Sequence, residues 1–228
     1  MPEEFKIRKA TPADREAAYW VCLKTGDHGD DGEALFTEDP DALARIYVGP
    51  YLEYEPDLAL VLEDNEGVCG YCLGAMDSRQ LYERYEQEWR PELTQDFPEP
   101  NGDPSRWTPL EQVYHLYHHP DYYCPEPYEL YPSQLHIDLV PRAQGRGLGR
   151  RMIDEVASKI AAKGSPGVHL GMSAKNDRAY RFELKLGLEA LARDGLGEHQ
   201  AIHLVQRHNE RGGPYCMGGR LAWAWPGT

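Results

Sequence analysis

The sequence predicts an α/β fold: a central mixed, twisted sheet flanked by helices. Three observations carry that expectation. Helical and strand patterns alternate along the chain instead of falling into separate blocks. Leu58-Ala59-Leu60-Val61-Leu62 is an unbroken apolar run of strand length. From 133 onward an alternating strand enters a glycine-rich turn, and apolar residues then recur at helical spacing.

Taken in order, Phe5 and Ile7 with polar neighbours predict a short opening strand. Thr11-Pro12-Ala13-Asp14 reads as a helix start, with Thr as N-cap, Pro at the first position and an acid in the first turn. That helix should run to about Lys24 and stop near Gly26. A second is expected from Pro40 to Val48, capped by Asp39 and ended by Pro50. Residues 58–76 read as a hairpin turning at Asp64-Asn65-Glu66-Gly67. Residues 77–132 hold eight of the fifteen tyrosines and nine of the eighteen prolines. They read as a helical, Pro-rich insertion with helices near 79–90 and 109–118, either a surface excursion or a substrate-facing lid.

Beyond the insertion, Leu135, Ile137 and Leu139 alternate as a strand, and Leu148, Met152, Ile153, Val156 and Ile160 mark a helix. Val168–Met172 is a further strand, Asp177–Leu186 a helix stopped by Gly187, Ala201–Val205 a last strand, and Gly212–Thr228 a loose tail. The division expected is one domain, 1–228: N-terminal helices and hairpin 1–76, insertion 77–132, core 133–210 and tail 211–228.

The chain has 228 residues with 24 Lys+Arg against 38 Asp+Glu, a net charge of −14, 41% hydrophobic and 27% charged. This is a globular composition, and a domain this long buries roughly 70% of its unfolded surface without staples. The acidic balance argues against nucleic acid, which needs a positive face, and against an anionic membrane surface, but leaves cationic partners open. Nothing in Met-Pro-Glu-Glu-Phe-Lys resembles an export signal, and the longest apolar run, Ala17–Leu23, is far short of the ~20 residues of a membrane helix. With five cysteines, an odd number that suits reduced thiols, a cytoplasmic protein is expected.

The segment richest in chemistry is Leu139-Val140-Pro141-Arg142-Ala143-Gln144-Gly145-Arg146-Gly147-Leu148-Gly149-Arg150-Arg151. A strand feeds a turn with alternating glycines that opens a helix, and four arginines fall within ten residues of an acidic chain. Glycines allow close backbone approach and a helix N-terminus favours negative charge, so a pyrophosphate-like anion is expected. The spacing is neither the dinucleotide fingerprint nor a P-loop.

Gln144-x-x-Gly147-x-Gly149 after Leu-Val-Pro resembles the acetyl-CoA motif of the GNAT superfamily (GCN5-related N-acetyltransferases). Asn176-x-x-Ala179-x-x-Phe182-x-x-Lys185-Leu186-Gly187-Leu188 is similar to that family's second cofactor motif. Val21-Cys22-Leu23-Lys24-Thr25, Leu62-Glu63-Asp64, Gly67-Val68-Cys69-Gly70-Tyr71, Trp89-Arg90-Pro91 and Pro100-Asn101-Gly102-Asp103 resemble the C-terminal acetyltransferase-like domains of O-GlcNAcases, described both as acetyltransferases and as pseudo-enzymes. The resemblance implies a GNAT fold, acetyl-CoA as donor, and cofactor contacts from Leu139, Val140, Gln144, Gly145, Arg146, Gly147, Leu148, Gly149, Arg150, Asn176, Ala179 and Phe182. It also implies that backbone N–H near Leu139 and Val140 meets the thioester carbonyl, where the strand splays from 168–172.

Acetyl transfer to an amine needs a base, donors for the developing oxyanion, and an acid for the departing thiolate. Asp138, on the face opposite Ile137 and Leu139, is the candidate base, with a structural acid paired to an arginine as the alternative; His136 shares its face. Glu183 stands seven residues after Asn176, where many family members have the Tyr general acid, and would serve only if burial raised its pKa. Tyr180, one turn earlier, is the other candidate acid. The acceptor is expected to be a small amine or a protein lysine. The alternative is a catalytically inactive relative that binds acetyl-CoA or acts as a protein-interaction module. No metal is expected, because His115, His118, His119 and Cys124 lack paired ligand spacing. No disulfide is expected between Cys69 and Cys72, which strand geometry sends to opposite faces.

Overall fold

The computed structural model describes residues 4–194 and 201–207. Strand β1 (Lys6–Lys9) leads to Thr11, where the Asp14 carboxylate accepts the Thr11 N–H at 2.8 Å and hydroxyl at 2.7 Å. A 3₁₀ turn over Pro12–Asp14 then starts α1 (Arg15–Leu23). Next come α2 (Ala42–Tyr47) and α3 (Gly49–Tyr54). Pro50 therefore opens a helix where the sequence reading had it closing one, because its missing N–H is harmless in a first turn.

The hairpin forms as β2 (Ala59–Asp64) and β3 (Gly67–Ala75). Within 77–132 lie α4 (Ser78–Arg84), a π-helical turn over Tyr85–Trp89, α5 (Arg90–Asp96) and α6 (Pro109–His118). The first of the two expected helices thus continues past 90, since Pro91 sits in the first turn of α5 after the wider π turn. Thr108 caps α6, its hydroxyl accepting the Glu111 N–H, while Glu111 accepts the Thr108 N–H at 2.7 Å.

The rest of the described chain is β4 (Ser133–Leu139), α7 (Leu148–Ala162), β5 (Gly167–Ser173), α8 (Asp177–Lys185), β6 (Glu189–Asp194) and β7 (Ala201–Arg207). β6 forms over a stretch in which the sequence carries no strand signal. The expected tail, 212–228, lies outside the described residues.

Seven strands form one sheet in the order β1-β2-β3-β4-β5-β7-β6. Every neighbouring pair is antiparallel except β4–β5. One face carries α1 with Val21 and Cys22 against β3; on the other, Gly74 lies so close to Val156 and Ile160 of α7 that a Cβ there would be 2.8 Å from Val156. The main core runs through both faces, with Leu58, Leu60, Leu62, Tyr71 and Leu73 fully buried.

A second apolar cluster joins the insertion to the N-terminal helices through Leu23, Phe36, Ala42, Tyr85, Leu93, Val113 and Tyr117. Buried Tyr117 donates its hydroxyl to the Ala42 carbonyl at 2.8 Å. The insertion is therefore seated on α2. Cys22, Cys69, Cys72 and Cys124 are thiols outside any disulfide. Among the described residues no helix is long and apolar enough to cross a membrane.

Candidate functional site

β4 and β5 pair only at Ser133–Val168 and Gln134–His169. Beyond that point β5 continues on β7 and β4 continues on β3, so the two strands diverge. The β3–β4 ladder determines which groups face the opening. Val140 N–H donates to Cys69 O at 3.0 Å, so by antiparallel alternation the groups of Asp138 and His136 also point toward β3. The N–H and C=O of Ile137 and Leu139 point the other way, into the gap. Of the two expected N–H donors, Leu139 faces the opening and Val140 does not, because its N–H is already committed to Cys69.

The opening ends at the glycine-rich loop. Gly145 and Gly147 have φ of 71° and 73°, the left-handed region that favours glycine, and a Cβ at either would meet nothing within 4 Å. Gly147 is the N-cap of the fifteen-residue α7, which has no acid in its first turn. The N–H groups of Leu148, Gly149 and Arg150 thus lead into exposed space at a positive helix end, a ready anion site. Gly149 serves differently: a Cβ there would lie 3.1 Å from the Phe182 ring, so this glycine lets α8 pack closely on α7. Phe182 thereby supports the loop by packing.

The arginines divide their work. Arg142 donates to Asp64 at 2.7 Å and so pins the loop to the β2–β3 turn. Arg146 bonds the Arg142 carbonyl and lies over the Phe5 ring, and exposed Arg150 is 3.5 Å from Asp154.

A polar chain crosses the mouth of the opening. Gln144 donates to Leu139 O at 2.6 Å, Arg178 donates to Gln144 Oε1 at 2.6 Å, and Arg178 also reaches Gly29 O at 2.9 Å. Asn176 Oδ1 caps α8 at the Ala179 N–H (3.0 Å), and its amide packs so tightly on Gly29 that a Cβ there would sit 2.4 Å away. Sequence reasoning missed Gly29 and Arg178; Arg178 lies inside the second motif, whereas Gly29 carried no signal.

On the α1 face of β4, Asp138 and His136 come together with Tyr71 of β3. The Tyr71 hydroxyl donates to Asp138 Oδ2 at 2.5 Å and lies 3.1 Å from His136 Nε2, which is 3.4 Å from Asp138 Oδ2. The Asp138 partners thus include a phenol and an imidazole, and among the described residues no arginine pairs with it. Burial pushes the Asp138 carboxyl up, opposed by His136 and the Tyr71 and Thr25 hydroxyls. Burial lowers His136, opposed by Asp138. Tyr47 and Tyr51 place their rings 6.0 and 6.3 Å from the imidazole, and Tyr51 and Tyr82 both donate to Gln134 Oε1, at 2.8 and 3.1 Å. Tyr71, Tyr47, Tyr51 and Tyr82 were not singled out from sequence. Strand alternation in β3 could have flagged Tyr71, but the others depend on tertiary packing.

Glu183, 3% exposed, has no hydrogen-bond partner for Oε2, and burial pushes its carboxyl up to about 8. It lies near enough to buried Cys72 to help raise that thiol. Tyr180 is half-buried and packs against the main core.

No family model matches the chain. A solved structure, SsHAT, is 33% identical with a TM-score of 0.78, covering 90% of this chain and 98% of that one. The chain belongs to the GNAT superfamily of N-acetyltransferases. Protein O-GlcNAcase of Rattus norvegicus is 28% identical over 191 residues, 83% of this chain and 20% of that protein, so the chain spans about a fifth of the length of the curated relatives it matches. The Salmonella typhimurium protein yncA, solved with its cofactor acetyl-CoA, shares the fold at 16% identity and a TM-score of 0.53, covering 94% of this chain and 99% of that one. The diverging β4–β5 pair with the glycine loop at its end is thus set in a GNAT sheet.

Proposed function

We propose that the chain is an acetyl-CoA-dependent N-acetyltransferase that passes acetyl to an amine by direct attack, with residues 1–228 acting as one domain. The observation that carries this reading is the opening between β4 and β5, continuous with a glycine loop whose φ values and empty surroundings suit a pyrophosphate. Acetyl-CoA, when bound, supplies an activated acetyl thioester. Gly145, Gly147 and the first N–H groups of α7 would hold its phosphates, with Arg146 and Arg150 adding positive charge beside them. The Leu139 N–H, turned into the opening, offers a donor to a carbonyl there. Asp138 is the base: its raised pKa brings it closer to the amine proton it must take, and Tyr71 fixes its orientation.

The acceptor side also has a chemical character. Asp138 and the Tyr47 and Tyr51 rings suit a cationic group, through charge and through the ring faces. This supports a small amine or a protein lysine as acceptor. A second reading, a catalytically silent acetyl-CoA-binding module, is favoured by one observation: Glu183, which the family resemblance places at the usual tyrosine position, is buried.

Calorimetry with acetyl-CoA on the wild type, Gly147→Ala and Gly147→Glu tests the donor site. Alanine and glutamate share the backbone strain at φ 73°, so any additional loss in the glutamate variant reports charge against phosphate. Loss of at least about tenfold more affinity with glutamate than with alanine is expected. Equal affinities would remove the loop from the donor site. Thiol release on adding amines, abolished in Asp138→Asn, then separates enzyme from module; tight binding with no turnover across an amine panel favours the module.

A further inference from the structure

The insertion brings together three ligand-type side chains that are separate in sequence and lie outside the cleft. His115 and His119 are four residues apart on α6, so they project from one face of the helix, with ring centroids 4.4 Å apart. Glu99, from the Pro-rich stretch before α6, reaches back between them. Its Oε1 lies 2.6 Å from His119 Nε2 and 3.6 Å from His115 Nδ1, and the three ligand atoms all lie within 4.8 Å of one another. His115 Nδ1 is buried and makes no hydrogen bond.

The surrounding residues hold this arrangement in place. His118 Nε2 bonds the Phe97 carbonyl at 2.9 Å, tying down the chain two residues before Glu99. Trp107 donates to Asn101 O at 3.1 Å and packs its ring, tilted by 46°, against the His115 ring with centroids 4.9 Å apart.

We propose that Glu99 Oε1, His115 Nδ1 and His119 Nε2 form a binding site for a divalent transition-metal ion of the zinc type, with water as the fourth ligand. The ligand chemistry is that of a two-histidine, one-carboxylate zinc site. Ligands each about 2.0–2.1 Å from a tetrahedral ion stand about 3.3 Å apart. The His115–Glu99 separation of 3.6 Å is already close to that, and the hydrogen-bonded His119–Glu99 pair at 2.6 Å needs to open by about 0.7 Å. His119 and Glu99 are about half exposed, which gives the ion an entry path and lets both side chains adjust. The ion also gives the orphaned His115 nitrogen a partner, and clasps the 97–108 stretch onto α6. The sequence signal was incomplete because the third ligand lies sixteen residues before His115, and because Cys124, the other soft ligand nearby in sequence, sits instead beside Ser78.

The test uses the full chain, without an affinity tag and stripped by chelator, titrated calorimetrically with zinc and followed spectroscopically with cobalt. One ion per chain at micromolar affinity or tighter is expected, with the visible absorption of tetrahedral cobalt. His119→Ala and Glu99→Gln should each weaken zinc binding by at least about a hundredfold with unchanged circular dichroism, while Cys124→Ser leaves it unaltered. Absence of zinc uptake at micromolar concentration, or uptake of equal strength in both ligand variants, overturns the proposal.

Discussion

Replacing Glu183 with glutamine removes one proton-binding site from the buried side of α8, and the consequence for stability can be worked from its environment. Its carboxyl is raised from 4.5 to about 8 by burial, with Oε2 unpartnered. Between those pH values the folded chain holds a proton that the unfolded chain has released. The stabilising neutral form is therefore fully present below about 4.5 and is lost as pH rises toward 8. Linkage sets the slope at about 1.4 kcal/mol per pH unit. Across the whole window this approaches 5 kcal/mol, and a side chain that relaxes toward water recovers part of it, so about 3–5 kcal/mol is expected. Glutamine has nearly the same shape and does not titrate, so its constant offset cancels when the pH dependence of the two proteins is compared. Urea unfolding of both at intervals from pH 4.5 to 9 gives the difference directly. Wild-type stability should fall relative to the variant through this window and then level off. Parallel curves would mean that Glu183 is ionised in the folded protein, and a general acid at that position would be ruled out with it.

Two further outcomes follow from the same structure. Tyr71→Phe removes the hydroxyl that helps hold the Asp138 carboxyl down, so the acidic limb of the kcat/KM profile for acetyl transfer should move to higher pH, with the profile itself as the measurement. Asp14→Asn loses a two-pronged bond from Arg8 (2.7 Å each) and two from Thr11, and should cost about 2–3 kcal/mol by chemical denaturation at neutral pH. Because Arg8 holds the Asp14 carboxyl below its ordinary 3.8, that contribution is present above 3.8 and is lost as acid protonates the folded form, so the deficit should shrink at low pH.

Much of the scaffold was legible because its signals are local. Thr11-Pro12-Ala13-Asp14 carries its own cap, Leu58–Leu62 its own burial, and Asp64–Gly67 its own turn. The glycine loop was legible for the same reason: a strand, a positive-φ turn and a helix start occupy adjacent residues. The misread elements lacked local evidence. Pro50 can end a helix or open one, and Glu189–Asp194, with acids and alanines, has neither a clear alternation nor an apolar run. Asp138 could be picked from its face on β4, whereas its partner Tyr71 comes from 67 residues earlier, through a strand register that only the folded sheet defines. Glu99 and the two histidines show the same limit, since a carboxylate on a Pro-rich stretch has no sequence mark of its own.

The arrangement of the site follows from the one parallel step in an otherwise antiparallel sheet. Antiparallel neighbours can be joined by a tight turn, as β2 and β3 are, but a parallel pair needs a crossover, and here α7 supplies it. A crossover helix must begin at the carboxyl end of the first strand, so the positive end of α7 lies at the end of β4 where the pairing with β5 has already stopped. The backbone of Ile137 and Leu139, which β5 does not pair, and the glycine loop therefore share one edge, the place where ligands bind beyond the carboxyl ends of strands in open α/β sheets. On the opposite face of β4, alternation turns Asp138 and His136 toward α1 and the tyrosines. On the function proposed above, an acyl donor and an amine acceptor approach the same strand from different sides. For this reason a shift of β4 by one residue would disable both functions at once: it would turn Asp138 toward α7 and carry the Leu139 N–H back toward β3.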